Sequence, residues 1–165
     1  MTRAQSSVQE EIRQTRPFSS PSEEGVVALA RTADLMRRSL TRVIEPHGIT
    51  LQQYNVLRIL RGAGSDGLPT LEIAARMVER APGVTRLLDR LEAKALVRRH
   101  RGPRDRRQIL CWITPAGLNL LEELDSPMRD GAREFMAPLG PRDLPSFIRL
   151  LDGLRAGAQD PDPST

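Results

Sequence analysis

Six arginines fall within the ten residues Arg98-Arg99-His100-Arg101-Gly102-Pro103-Arg104-Asp105-Arg106-Arg107, and the apolar runs on either side read as short strands. That combination predicts a charged β-hairpin. Just before it, between Pro82 and Leu96, Val84, Leu87, Leu88 and Leu91 recur at i, i+3, i+4 and i+7 and leave Arg86, Asp89 and Arg90 on the opposite face, the pattern of an amphipathic helix. A helix followed by a basic hairpin is the layout of a winged helix-turn-helix, so duplex DNA is the expected partner.

The distribution of charge carries this reading further than its total. From Arg76 to Arg107 there are eleven basic and four acidic residues, a net of +7, which leaves fourteen basic against seventeen acidic, or −3, for the remaining 133 positions. A localised positive field attracts phosphates, and each phosphate it neutralises releases condensed counterions. The pI near 10.4 says less, because 24 of the 25 basic residues are Arg and few groups titrate in the alkaline range. The competing reading of the run is an ordinary solvated Arg-rich surface.

A chain of 165 residues is expected to form one domain with a core of Leu, Ile, Val, Ala and Met at helical spacing, since it has one Trp, one Tyr and three Phe. No run approaches the roughly 20 apolar residues of a membrane span, and the N-terminal stretch lacks the apolar segment of a secretory signal, so a soluble cytoplasmic protein is expected. A single cysteine, Cys111, allows neither an intrachain disulfide nor a cysteine-rich metal site.

Along the chain, residues 1–19 are polar and aperiodic and read as a flexible arm. Ser20-Pro21-Ser22-Glu23 has capping-box spacing with Pro in the first turn, and predicts a helix to about Glu45. Thr50-Leu51-Gln52-Gln53 is a second such box, with Ile49 and Tyr54 spaced as a hydrophobic staple, and opens a helix that stops at Gly62-Ala63-Gly64. Thr70 is read as the cap of a short helix reaching Met77 or Val78, and the helix from Pro82 completes a helix-turn-helix. Val97–Arg101 and Gln108–Ile113 are the two wing strands. Thr114-Pro115 caps a further helix in which Pro127 predicts a kink or break, and Gly140-Pro141 opens the last one, with Leu144, Phe147, Ile148, Leu151 and Leu154 on one face.

The organisation expected is thus mainly α with a small β-wing: a flexible arm (1–19), one domain (20–157) holding a winged helix-turn-helix (about 50–113) between flanking helices (about 20–45 and 114–156), and a disordered tail (158–165). The apolar stripes of the flanking helices exceed what one small module covers. A second copy of the chain is the simplest partner, which makes them dimerisation helices; the alternative is a monomer that folds them back on itself.

Asp105-Arg106-Arg107, followed by Ile113, Thr114 and Gly117, together with Val84-Thr85-Arg86-Leu87-Leu88-Asp89-Arg90-Leu91-Glu92, resembles the multiple antibiotic resistance regulator (MarR) family over about Val26 to Leu154. The resemblance implies a homodimeric transcriptional regulator, usually a repressor, that leaves DNA when a small phenolic or other apolar anion binds or a cysteine is oxidised. One departure is Ala95, where members commonly carry a helix-ending glycine, and it implies a different cap.

In the major groove, Pro82, Gly83, Thr85 and Arg86 are the candidates, with Arg86 either bidentate to guanine O6 and N7 or bound to a phosphate, and Thr85 on a phosphate or thymine methyl. Arg90 is read as a phosphate clamp or as a helix partner of Asp89 or Glu92. In the wing, Arg107 is expected to enter a narrow minor groove. The resemblance implies that Asp105 orients an arginine fork, while Arg104 and Arg106 contact backbone or stay solvated. Met36, Tyr54 and Arg58 are candidates for an effector pocket between the first, second and fifth helices, or else core and surface residues. His47 and His100 stand apart without a carboxylate cluster, so no catalytic set, metal site or cofactor is expected. Cys111 is read as a buried inert thiol rather than a sensor. The rival to a sequence-specific regulator is an architectural or protein-interaction winged-helix module that coats DNA non-specifically.

Overall fold

Hydrogen bonds at the helix starts fix where the elements of this computed structural model begin; it describes residues 8–80, 83–101 and 108–158. The order is α1 (Val8–Glu11), α2 (Pro21–Ile44), α3 (Leu51–Ala63), β1 (Leu68–Pro69), α4 (Thr70–Arg76), α5 (Val84–Ala93), β2 (Val97–Arg101), β3 (Ile109–Ile113), α6 (Pro115–Met136) and α7 (Gly140–Gly157). At α3 both arms of the capping box close: Gln53 N–H donates to Thr50 Oγ1 at 3.2 Å and Thr50 N–H to Gln53 Oε1 at 3.0 Å. At α2, Ser20 accepts from Glu23 N, while the Glu23 carboxylate reaches one residue further back, to Ser19 N and Oγ at 2.7 and 2.6 Å. Those bonds hold the Glu23 carboxyl below its usual range.

The strands form an antiparallel sheet in the order β1-β3-β2, with Leu68 opposite Cys111 and Val97 opposite Ile113. One sheet face closes the core against α3, α4 and α5, where Leu57, Leu60, Ile73, Leu88, Leu91 and Cys111 are fully buried. Leu121 and Leu124 bring α6 into the same cluster, and α2 packs along α6. Gly131 of α6 permits that approach, because a Cβ there would already touch Val43 Cγ2 at 3.3 Å. The fold is the winged helix-turn-helix with flanking helices that the sequence predicts.

Several local expectations are corrected. Part of the polar N-terminal stretch is helical, and Glu11 of α1 meets Arg31 of α2 at 3.3 Å. Thr70 is not a cap: Pro69 holds that position without a side-chain bond, and the Thr70 hydroxyl faces Cys111 Sγ at 3.8 Å. A third strand, β1, lies between Gly64 and Thr70, where the sequence predicts no strand. Pro127 does not end its helix; α6 runs through it, with Leu121, Leu124 and Met128 packed on the core on both sides, so packing outweighs the lost hydrogen bond.

Ala95 adopts the left-handed conformation that glycine would take, with φ 56°, and Leu96 N–H reaches back to Leu91 O at 3.0 Å. The cap is therefore the same one, held by alanine at a cost of about 1 kcal/mol. Of the expected tail, 158–165, Ala158 still donates its N–H to Leu154 O at 3.1 Å, and residues 159–165 lie outside the described set.

Candidate nucleic-acid interface

Burial decides which face of α5 is free. Val84, Leu88 and Leu91 turn into the core, and Gly83, Thr85, Arg86, Asp89 and Arg90 remain exposed. Gly83 starts the helix from a left-handed conformation, φ 101°, without any side-chain cap on the first amides. Neither Arg86 nor Arg90 has an ion-pair partner among the described residues. Pro82 and the tip residues Arg104, Asp105, Arg106 and Arg107 fall outside the described residues.

The two acidic residues on α5 would repel phosphates if left bare. They are instead occupied by Arg99 of β2, whose Nη2 lies 2.6 Å from both Asp89 Oδ1 and Glu92 Oε2, while its backbone N–H donates to Glu92 Oε1 at 3.2 Å. Hydrogen bonding to Glu92, then to Asp89, raises the Arg99 pKa against the opposing effect of burial. Asp89 and Glu92 thus pair with Arg99, not with Arg90. Arg99 is an interface residue that the sequence reading missed: one of the six wing arginines is a strut joining wing to helix, with only 19% of its side chain exposed.

Other cations of the basic stretch are also spoken for. Arg76 pairs with Glu72 at 2.8 Å, Lys94 Nζ donates to Gly48 O, and Arg98 lies over the Trp112 ring at 4.9 Å from its centroid. Trp112 in turn donates from Nε1 to Ser65 O at 3.0 Å and sits against Gly67, where a Cβ would lie 2.5 Å from the indole. His100 tilts against the same ring at 6.1 Å.

The join between α5, the wing and α6 explains the Thr and Gly of the wing pattern. Thr114 Oγ1 donates to Ala95 O at 2.7 Å and accepts from Gly117 N at 3.1 Å. A Cβ on Gly117 would lie 2.4 Å from Leu96 O, so only glycine fits beneath the end of α5.

Met36, Tyr54 and Arg58 come together on a cavity of about 220 Å³ between α2, α3, α6 and the turn after α4, which Met77, Glu79 and Met128 also line. Arg58 lies over the Tyr54 ring at 5.9 Å. The turn is fastened by Val78 N–H donating to Asn55 Oδ1 at 2.9 Å and by Arg37 meeting Glu79 at 3.4 Å. His47 is in a turn away from this lining and lies 3.8 Å from Glu123. Cys111 is fully buried, and that burial pushes its thiol pKa up, as an inert thiol requires.

Residues 47–108 match the sequence pattern of the MarR family. The uncharacterised HTH-type transcriptional regulator YwoH of Bacillus subtilis (strain 168) is 30% identical over 120 residues, 73% of this chain and 85% of YwoH. A MarR transcription factor from Planctomyces limnophilus shares 38% identity with a TM-score of 0.65, covering 82% of this chain and 98% of that one. A mutant of E. coli MarR complexed with operator DNA has a TM-score of 0.70 at 25% identity, covering 77% of this chain and 90% of that one. Fold and surface together define a winged-helix DNA-binding regulator. The chain belongs to the MarR family and is a sequence-specific DNA-binding transcriptional regulator. No helix among its described residues is long and apolar enough to cross a membrane.

Proposed function

We propose that this chain is a homodimeric cytoplasmic repressor that acts by binding alone, without a catalytic step, and leaves its operator when a small apolar anion enters the cavity at Met36, Tyr54 and Arg58. Gly83, Thr85 and Arg86, preceded by Pro82, enter the major groove; Arg90 holds a phosphate; Arg107 enters the minor groove, with Asp105 orienting an arginine and Arg104 and Arg106 on the backbone. The observation that carries this reading is the division of charge on α5. Arg99 occupies both carboxylates, which leaves Arg86 and Arg90 as the charges of the exposed face without an ion-pair partner among the described residues. That a relative of the same fold, the E. coli MarR mutant, is complexed with operator DNA supports DNA as the partner.

The cavity suits its ligand on chemical grounds: methionine and tyrosine walls favour an apolar body, and the Arg58 guanidinium favours an anion. The dimer is supported by α7, which carries Ile148 at 50% and Leu154 at 61% exposure and packs mainly on the preceding Ala137–Leu139 turn, and by Val26 of α2 at 69%. A two-fold dimer matches pseudo-palindromic half-sites about 34–36 Å apart.

Footprinting the chain's own upstream region tests the function: a protected pseudo-palindrome is expected, and featureless coating would favour the architectural alternative. Arg86→Ala should cost about 1 to 3 kcal/mol on that site and relax one symmetric pair of positions, whereas Arg90→Ala should weaken operator and random duplex alike and lower the salt slope by about one phosphate. Equal losses on both duplexes for Arg86→Ala would move base reading away from that residue.

A further inference from the structure

Three of the chain's five methionines, Met36, Met77 and Met128, meet at one cavity although they come from α2, the end of α4 and α6. Thioethers are soft, apolar and oxidisable, and this wall contains no other sulfur. The cavity is open to small solutes, since Val78 on its rim is 86% exposed. The turn forming that rim, Met77-Val78-Glu79, leads within a few residues into α5. It is held by the Asn55–Val78 hydrogen bond and the Arg37–Glu79 pair. A polar acceptor appearing on a methionine in this cavity has Arg37, Arg58 and Asn55 as ready donors, and taking Arg37 releases Glu79.

We propose that this methionine trio is an oxidant-sensing site, at which hypohalous acid converts thioether to sulfoxide, frees the turn before α5 and lowers DNA affinity. In the step, a sulfur lone pair attacks the oxygen of hypochlorous acid. The S–O bond forms as the O–Cl bond breaks, chloride departs, and the hydroxyl proton passes to water. Sulfur loses the two electrons that chlorine gains. The oxidant fits easily in about 220 Å³. The competing sulfur, Cys111, is shielded because it is fully buried. The sulfoxide is polar and chiral where the wall was apolar, so the seam between α2, α6 and the turn is the place that yields.

The inference rests on the DNA-binding reading, and the test keeps the two apart. Intact protein is titrated with hypochlorous acid up to a few equivalents, peptides are mapped by mass, and affinity is read on a mixed-sequence duplex at low salt, which requires no known operator. Sulfoxide should accumulate on the partly exposed Met36 and Met128 ahead of Met136, which lies outside the cavity, and follow on Met77, which is 8% exposed. Affinity should fall at least about tenfold and return with methionine sulfoxide reductase. The Met77→Leu, Met128→Leu variant, nearly conserving volume, should bind DNA normally and lose most of its response to the oxidant; each single Leu variant serves where the pair fails to fold. Oxidation first at Met136, a loss the reductase does not reverse, or an equal loss in the Leu variant would overturn the proposal. A loss that disappears in Cys111→Ala would likewise assign the chemistry to the thiol. Protein that fails to bind duplex before oxidant is added would instead defeat the DNA-binding reading.

Discussion

The helix-turn-helix and the terminal helices solve the problem of apolar surface in opposite ways. In the module, Leu57, Leu60, Ile73, Leu88 and Leu91 are each at most 1% exposed, and α3, α4, α5 and the sheet bury one another within a single chain. In α7 no residue is fully buried, and α2 fully buries only Ile44 of its 24 residues. The module's apolar face is thus closed within one chain, with help from Ile44, Leu121 and Leu124, whereas α7 leaves an apolar surface that a second copy would cover in the proposed dimer. Stability and assembly should respond to different substitutions.

The largest effect should come from the module. Leu88→Ala removes a fully buried side chain on the inner face of α5 and should cost about 2 to 5 kcal/mol in urea unfolding. Ile148→Asp, on the other side of the comparison, should leave the module's own packing intact and weaken dimerisation by about tenfold or more, because a half-exposed apolar side chain becomes a charge inside a two-fold contact. Light scattering at micromolar concentration reads the result. Retained dimer mass would show that α7 covers itself some other way.

The same contrast explains what could be read in advance. Thr50 with Gln53, Ser20 with Glu23 and Thr114 with Gly117 are local signals whose partners lie within a turn, and each marks a true helix start. The stripe Val84, Leu88, Leu91 is equally local, and its burial follows. The three pocket candidates are partly legible for a related reason: an aromatic, a cation and a methionine on two consecutive helices meet once those helices cross. The rest depends on register between distant segments. β1 has two residues, too few for a period, and exists only because β3 pairs with it. Thr70 looks like a cap until Cys111, 41 residues on, draws its hydroxyl aside. Arg99 reads as one more wing cation because its role depends on which strand face meets Asp89 and Glu92.

Arg99→Ala should be the next effect in size, and it tests whether the wing is held to α5. The substitution leaves Glu92 and Asp89 without their shared cation, and should cost about 1 to 3 kcal/mol of stability as charged hydrogen bonds are lost. It should also weaken DNA binding although Arg99 faces the protein, because two carboxylates are then bare on the helix proposed to enter the major groove. Arg99→Ala combined with Glu92→Gln should recover part of the affinity. Without recovery, the effect would come from wing position rather than from uncovered charge.

The smallest effect lies at the seam between the two regions, where Arg61 of α3 forms a forked pair with Asp125 of α6 at 2.8 and 3.0 Å. Hydrogen bonding to Arg61 is the main reason the Asp125 carboxyl titrates below its ordinary 3.8, outweighing a small opposing effect of burial. A carboxyl lowered by folding binds protons more readily in the unfolded chain. Its stabilisation is therefore complete well above pH 3.8, begins to fade as pH falls toward that value, and is gone below the lowered folded value. Both side chains are about a third exposed, so solvent screening holds the contribution to at most about 1 kcal/mol. Asp125→Asn should accordingly lower stability at neutral pH by at most about 1 kcal/mol and flatten the acid limb by the same amount, with little change below the lowered folded value. A larger neutral-pH loss would mean that this pair, more than the shared apolar cluster around Leu121 and Leu124, fastens the recognition module to the helix beneath it.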